Sequence, residues 1–212
     1  MFYISIALVC LSSLCIIHNL YTSYLANKEY RDIDTDNLLE QNSEYMGWLY
    51  IEDIVDLPVV QTDNNTYYLS HSFNKEENKM GCLFIDKNVL PDGNNMIIHG
   101  HNNYNSSMFS LLTKYKDTDF FNTHKEIIFT TKENEIRKYS VLAVINYDVS
   151  TMNEFNMYNI AATSTYIEEV EKLSLYPFDK DFKDGMKFIT LSTCDEALYG
   201  SNGRLVIIGV ML

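Results

Sequence analysis

The stretch Phe188–Cys194 has the sequence FITLSTC and gives the strongest prediction of the fold. Aromatic, β-branched and apolar residues run into hydroxyl side chains, a composition typical of a buried strand. The strand ends on Cys194, and the acidic residues Asp195 and Glu196 follow directly. The pattern therefore predicts a buried strand that delivers a thiol to a tip close to solvent.

Two further strand-like stretches each carry a reactive side chain at one end. Gly203–Val210, GRLVIIGV, has Arg204 near its start, and Met96–His99, MIIH, is followed two residues later by His101. A thiol needs a nearby base or cation to become a nucleophile, and a fixed arginine can stabilise an oxyanion. Together the three stretches indicate acyl transfer through a thioester at Cys194.

His99 and His101, at and just after the end of the predicted strand, differ in the role that their positions predict. His101 lies nearer the polar run 102–106, which predicts a loop at the mouth of the site, so His101 is the better candidate for a general acid or base. His99 lies two residues earlier and shares its face if the strand continues. A His-x-His pair can bind a metal ion, but no third ligand is evident, and we expect no metal and no cofactor.

The composition limits the classes of partner. The chain has 212 residues, 46% of them hydrophobic, which suits one globular domain with an appendage. It carries 16 Lys and Arg against 29 Asp and Glu, a net charge of −13. Because phosphate binding needs a basic face, this balance argues against nucleic acid as a partner.

The four cysteines divide into two pairs. Cys10 and Cys15 lie in the apolar N-terminus, and Cys82 and Cys194 lie in separate strand-like segments. Their spacing matches no metal-binding motif. A disulfide between Cys82 and Cys194 is the less favoured alternative, because it would silence the thiol.

The N-terminal residues 1–25 are mostly apolar and long enough to span a bilayer, which takes about 20 residues. We expect an uncleaved membrane anchor rather than a signal peptide, because the candidate cleavage site has a large residue at its outer position. Lys28 and Arg31 follow the span, so the positive-inside rule does not support export of the C-terminal part. Residues 26–45 predict a stalk or N-terminal helix, and residues 46–212 predict the catalytic domain.

Short strand-like runs dominate the chain after residue 46. Many short strands with few helices predict a mainly β fold, a closed β-barrel with helices inserted in its loops. The predicted strands cover residues 48–51, 57–61, 81–86, 96–99, 126–130, 136–147, 188–194 and 203–210, and helical segments cover 67–69, 108–115 and 163–173.

The sequence resembles class B sortases, the membrane-anchored cysteine transpeptidases of Gram-positive bacteria. Thr190–Cys194, TLSTC, matches the sortase cysteine motif, and Arg204–Val206 matches the downstream arginine strand. Gly100–Asn102 matches the histidine motif. The insert that holds Tyr166–Leu173, before the cysteine strand, is also similar to class B, and the resemblance covers roughly residues 45–212.

The resemblance implies an eight-stranded sortase-type barrel with an N-terminal helix and a helix in the loop before the cysteine strand. It implies that Cys194 attacks the bond after a Thr in the C-terminal sorting signal of a surface protein. His101 would protonate the leaving amine and later deprotonate the incoming one, and Arg204 would hold the oxyanion. An amine of cell-wall precursor would resolve the thioester and attach the protein to peptidoglycan.

Substrate contacts carry over from the same resemblance. His99 stands where the family usually has a tyrosine, and Asp195 stands where a glutamate is frequent, so both mark departures from the pattern. The residues for which the resemblance implies substrate binding are Asn65, Leu69, His99, Thr151, Phe155, Ser192 and Asp195.

Other functions stay open at this point. A pilus-assembling sortase would use the same catalytic residues with a pilin lysine as acceptor. A cysteine hydrolase would let water resolve the thioester, and a non-catalytic barrel would only bind sorting signals. The location that the resemblance implies is the cell membrane, with a single span and an extracellular catalytic domain.

Overall fold

The computed structural model describes residues 33–90, 93–102, 107–150, 163–178, 182, 183 and 185–212, with isolated positions between 12 and 30. The chain divides into two compact units, Met1–Asp36 and Asn37–Leu212. The described positions between residues 12 and 30 in the first unit are helical. The predicted division at residues 25 and 45 stays a prediction.

The second unit is mainly β. Its eight strands are β1 (Tyr45–Ile51), β2 (Val55–Val60), β3 (Leu83–Ile85), β4 (Asn95–His99), β5 (Glu126–Thr131), β6 (Ile136–Asp148), β7 (Phe188–Cys194) and β8 (Gly203–Met211). Its α-helices are α1 (Leu38–Gln41), α2 (Thr118–Thr123), α3 (Thr163–Leu173) and α4 (Glu196–Tyr199), and 3₁₀ segments cover Tyr67–Leu69, Ser110–Lys116 and Gly200–Asn202.

The strands close into a barrel in the order β1-β2-β3-β4-β7-β8-β6-β5. Closure pairs both edges of every strand and leaves no open edge. Neighbours are antiparallel except β2 with β3 and β4 with β7, which are parallel. A parallel pair needs a long crossover, and β5, β6 and α3 lie within the connection between β4 and β7. The predicted closed eight-stranded barrel, with a helix before the cysteine strand, is confirmed.

Helix α3 covers the outer face of four strands. Its apolar positions recur at helical spacing, as the sequence pattern predicted; Tyr166, Ile167 and Val170 are buried and Leu173 is partly buried. The ring of Tyr166 packs edge-on against Phe188 of β7, with 5.1 Å between ring centroids. The cluster under the helix contains Ile97, Leu142, Ala143, Ile145, Tyr166, Ile167, Val170, Phe188, Val206 and Ile208. Residues of one parity on β4, β6, β7 and β8 therefore form an outer face, and those of the other parity face the barrel interior.

Two helices have no counterpart in the prediction. Helix α2 begins after Asp117, whose carboxylate accepts a hydrogen bond from the Phe120 amide at 2.9 Å. Helix α4 begins after Asp195, whose carboxylate accepts from the Ala197 amide at 3.3 Å. Both are short and depend on an aspartate cap rather than on an apolar stripe, so periodicity does not detect them.

The prediction of a single-pass membrane location with an extracellular catalytic domain is contradicted. Within the described part of the chain, no helix combines the length and the apolar character that crossing a bilayer requires. Most of the predicted anchor, residues 1–25, lies outside the described residues.

The packing of α3 predicts that substitutions at two adjacent positions, 167 and 168, lower the free energy of unfolding by different amounts. Ile167→Ala removes a buried side chain from the cluster and should lower the free energy of unfolding by about 2–5 kcal/mol. Glu168→Ala changes the next, exposed position and should cost less than about 0.5 kcal/mol. Urea unfolding of both variants measures the difference. Equal losses would contradict the packing of this helix on the barrel.

Candidate active site

The strand register sets Cys194 opposite Arg204. The two residues are paired across β7 and β8, and facing residues in an antiparallel pair have Cβ atoms about 5 Å apart on the same face. Arg204 is paired in turn with Tyr147 of β6. Burial raises the pKa of Tyr147, so its hydroxyl stays neutral beside the guanidinium. The thiol and the arginine thus lie side by side on the outer face, at the tip of β7.

His101 flanks Cys194 on the other side. Beyond the end of β4 the chain keeps running along β7, because the Gly100 amide donates to the Ser192 carbonyl at 3.2 Å. The Thr193 hydroxyl donates to the Gly100 carbonyl at 2.7 Å, and the Asn102 side-chain amide donates to the Cys194 carbonyl at 2.8 Å. We call the residues His101, Cys194, Arg204 and Tyr147 the catalytic row.

Gly100 permits this close approach. A Cβ atom built at Gly100 would collide with the side chains of Leu83 and Phe109. Both side chains are buried in the barrel. A larger residue at position 100 would therefore push His101 away from β7.

The imidazole of His101 is held by a backbone carbonyl. Its Nε2 lies 2.7 Å from the carbonyl oxygen of Leu69, which ends the 3₁₀ segment Tyr67–Leu69. A carbonyl oxygen only accepts, so Nε2 carries a proton. The nitrogen left to exchange a proton with substrate is then Nδ1.

The turn that carries Leu69 is itself tied to the start of β1. The Asn42 side-chain amide donates to the Tyr68 hydroxyl at 2.8 Å and to the Phe73 carbonyl at 2.7 Å. The Tyr68 hydroxyl donates to the Glu44 carboxylate at 2.6 Å, and Lys75 pairs with the same carboxylate at 3.0 Å. The support of His101 thus extends to residues that precede the barrel in the chain.

Arg204 is fixed by the loop between β7 and β8. Its Nη1 donates to the carbonyls of Ser201 at 3.0 Å and Gly203 at 2.8 Å. Within the described residues, Nε and Nη2 make no hydrogen bond, and the side chain is half-buried. The arginine is therefore a positioned cation with N–H groups left to donate to a ligand.

A second row of paired residues lies two residues from the catalytic row along each strand, on the side away from the tip of β7. His99, Ser192, Val206 and Ile145 are paired in sequence across β4, β7, β8 and β6. On the outer face, this row lies next to the catalytic row, and its members Val206 and Ile145 also belong to the cluster under α3. Ser192 is 5% exposed, whereas the His99 side chain is 25% exposed. His99 is thus the polar residue of this row that a ligand can reach.

A buried carboxylate holds His99. The His99 Nε2 lies 2.9 Å from Asp86 Oδ2, and the Asn65 side-chain amide donates to the same oxygen at 2.7 Å. The Asn65 side-chain oxygen accepts from the Lys87 amide at 2.9 Å. Asp86, 1% exposed, thereby fixes both residues in one cluster.

The other predicted substrate contacts fall in different places. Leu69 is 39% exposed, and its carbonyl oxygen contacts the His101 ring. Asp195 is 4% exposed, and its carboxylate pairs with Lys116. Thr151 and Phe155 lie outside the described residues. Cys82 and Cys194 are not joined by a disulfide, so the disulfide alternative does not apply. The part of the chain that the structure describes contains no group of three His, Cys, Asp or Glu side chains suited to hold a metal ion.

Comparison with known proteins identifies the family. A family model for the sortase domain matches residues 49–212. The chain belongs to the sortase family. Sortase B of Listeria monocytogenes is 33% identical over 193 residues, which cover 88% of this chain and 76% of that protein.

Solved structures place this sortase in class B. The X-ray structure of Clostridium perfringens sortase B matches with a TM-score of 0.77 at 27% identity, over 84% of this chain and 100% of that one. A Streptococcus pyogenes class B sortase involved in pilus biogenesis matches with a TM-score of 0.74 at 27% identity, over 85% and 98%. The sortase is thus a cysteine transpeptidase, and its family acts on proteins that carry sorting signals.

Sequence reasoning did not single out several residues that build this sortase site. Asn102, which follows the histidine, anchors the His101 backbone to Cys194. Asp86 holds His99 and Asn65, and Lys116 and Asn146 contact Asp195. Sequence analysis could have identified Asn102, because it directly follows His101 in the motif Gly100–Asn102. The other three lie far from the motifs in sequence, and only the barrel register brings them to the site.

The support of the turn predicts a pH dependence of stability. Partial burial opposes the charged form of Glu44, but hydrogen bonds from Tyr68, Lys75 and Thr62 outweigh it and hold the pKa of Glu44 below its usual 4.5. Because the pKa is lower in the folded state, Glu44 stabilises the protein above about pH 4.5, and this contribution is lost as the pH falls through the lowered value.

Thermal melting between pH 7 and pH 3 tests this contribution. The melting temperature of the wild type should exceed that of Glu44→Gln at neutral pH, and the difference should disappear at the acidic end. Glu76→Gln changes an exposed carboxylate in the loop between Leu69 and β3 and should follow the wild-type curve throughout. A difference that stays constant with pH would show that the charge of Glu44 is not what stabilises the turn.

Proposed function

We propose that this sortase cleaves a C-terminal sorting signal after Thr and transfers the protein to an amine of cell-wall precursor through a thioester at Cys194. The catalytic row supports this proposal, because it places a thiol between an imidazole and a guanidinium on one face of the barrel. Each of these groups has a separate task in acyl transfer.

In the first step, the Cys194 thiolate attacks the carbonyl carbon of the Thr residue. The resulting oxyanion accepts hydrogen bonds from the N–H groups of Arg204 that the loop carbonyls leave unused. His101 gives a proton to the leaving amine, the C–N bond breaks, and the thioester remains on Cys194.

In the second step, an incoming amine attacks the thioester carbonyl. His101 takes a proton from this amine, the C–S bond breaks, and Cys194 is released with a new amide formed. The Leu69 carbonyl keeps the imidazole oriented by accepting from Nε2, which leaves Nδ1 for both proton transfers.

The groove for the sorting signal is proposed to follow the outer face past the second row. His99 and the side chain of Leu69 are its accessible residues among those described. Asn65, Ser192, Asp195, Thr151 and Phe155 stay predicted contacts. Asn65 and Ser192 would act from the border of the groove, since the first is engaged by Asp86 and the second is buried.

A second acceptor deserves a test of its own. The Streptococcus pyogenes class B sortase involved in pilus biogenesis matches this chain nearly as well as the Clostridium perfringens enzyme does. A pilin lysine therefore remains the alternative acceptor, with the same catalytic row. The choice between the acceptors depends on the amine that resolves the thioester.

Amine-dependent product formation is the central prediction. The full chain is incubated with quenched peptides bearing varied sorting signals, with either a peptidoglycan-type amine or a lysine peptide. The expected product joins the acceptor to the Thr carbonyl, and Cys194→Ala forms neither thioester nor product while still binding peptide. Mass spectrometry of the products and of the enzyme adduct measures both.

The alternatives give different products. Cleavage with only a free Thr carboxylate, at saturating amine, would identify a hydrolase. Preference for the lysine peptide would identify the pilus-type acceptor. Cleavage that persists in Cys194→Ala would contradict the proposed nucleophile.

Substitution of Arg204 is expected to lower kcat. Arg204→Ala removes the positioned donors and should lower kcat by about 10²–10³-fold. Arg204→Lys keeps the charge but loses the planar fork that binds the loop carbonyls and the oxyanion together, so it should restore only a small part of the rate. Steady-state kinetics on the cleaved peptide measure kcat, and full recovery in Arg204→Lys would contradict the assigned geometry.

A further inference from the structure

An ion pair between a buried carboxylate and a partly exposed lysine lies behind Cys194. Asp195 directly follows Cys194 and keeps an extended backbone, so its side chain points to the opposite face, toward the barrel interior. It is 4% exposed, and one carboxylate oxygen, Oδ2, forms an ion pair with Lys116. Burying a carboxylate is costly unless it is paired, so Lys116 is needed to keep Asp195 where it is.

Lys116 is a fixed partner. It ends the 3₁₀ segment Ser110–Lys116, which is anchored in the barrel by the fully buried side chains of Leu112 and Tyr115. The carbonyl of Lys116 accepts a hydrogen bond from the Tyr176 hydroxyl at 2.6 Å. The ammonium group therefore approaches Asp195 from a rigid element rather than from a loose loop.

Asn146 extends this pair to the arginine strand. Its side-chain nitrogen, assigned from the acceptors around it, lies 3.1 Å from Asp195 Oδ2 and 3.0 Å from the carbonyl of Arg204. The Asp195 amide donates to the Gly203 carbonyl at 3.0 Å. Asp195 is thus connected to the first two residues of β8, to Gly203 through its amide and to Arg204 through Asn146.

We propose that Lys116, Asp195 and Asn146 form a positioning network that holds Cys194 and Arg204 in their relative places from the face opposite the thiol. The proposal rests on the proposed function and deepens it. It gives Asp195 a role through its buried carboxylate in place of contact with the sorting signal. Lys116 becomes a residue on which the rate depends, although it touches no reacting atom.

The test uses the full chain and the amine-dependent peptide assay. Lys116→Met removes the ion pair and should lower kcat at least tenfold while the KM for peptide stays within twofold. Lys116→Arg restores a cation and should recover kcat to within about fivefold of wild type. Lys114→Met, the same substitution at an exposed position of the same 3₁₀ segment, should leave both constants unchanged.

A second variant separates positioning from folding. If Lys116→Met leaves an unpaired buried carboxylate and unfolds, the double variant Lys116→Met/Asp195→Asn removes both charges and should fold. Its kcat should still be at least tenfold below wild type, because Cys194 and Arg204 have lost their common support. Thermal melting and thiol titration confirm the folded state.

Three results would overturn the network. The first is wild-type kcat in a folded Lys116→Met or double variant. The second is a loss of rate that Lys116→Arg does not relieve, because the effect would then come from packing of the segment. The third is an Asp195→Asn variant with raised KM and unchanged kcat, which would mark a substrate contact.

A readout without substrate keeps this test independent of the proposed function. The rate of alkylation of Cys194 by iodoacetamide is followed across pH by mass spectrometry of the Cys194 peptide. Lys116→Met should change this pH profile, and Lys114→Met should not. Failure of the wild type to cleave any peptide would reject the proposed reaction alone, whereas an unchanged alkylation profile in Lys116→Met would reject the network alone.

Discussion

The register of β7 between β4 and β8 is the constraint on which the site depends. Backbone hydrogen bonds set His99 beside Ser192 and Cys194 opposite Arg204. Because side chains alternate along a strand, a slip by one residue would move the thiol into the barrel interior and bring Asp195 to the outer face. Close packing on both faces of β7 opposes such a slip, since α3 covers one face and the barrel core fills the other.

The histidine depends on a different set of contacts. Its ring is oriented by the Leu69 carbonyl, and that turn is held by Asn42, Tyr68 and Glu44. His101 is therefore supported from the chain that leads into β1, while Cys194 and Arg204 are supported from within the barrel. A substitution can therefore disturb the support of His101 without disturbing that of Cys194 and Arg204, and the reverse.

The sequence predicted the strands and singled out Cys194, His101 and Arg204, because each strand is an apolar run and each of these reactive side chains lies at or near the end of one. Many short strand-like runs predicted the closed barrel, and their number agrees with the eight strands that the resemblance to class B sortases implies. Lys116, Asn146 and Asp86 could not be predicted in this way. Each acts through a residue distant in sequence, and only the fold brings these polar side chains into contact with their partners.

The parallel pairing of β4 with β7 has a consequence for the order in which the barrel can fold during synthesis. The histidine strand is made early, yet its neighbour arrives only after the whole connection through β5, β6 and α3 has been synthesised, and the arginine strand comes later still. Contacts of such long range form slowly and cannot assemble on a partial chain. During translation the site therefore stays incomplete until β8, the last of the eight strands in chain order, pairs with β7 and β6.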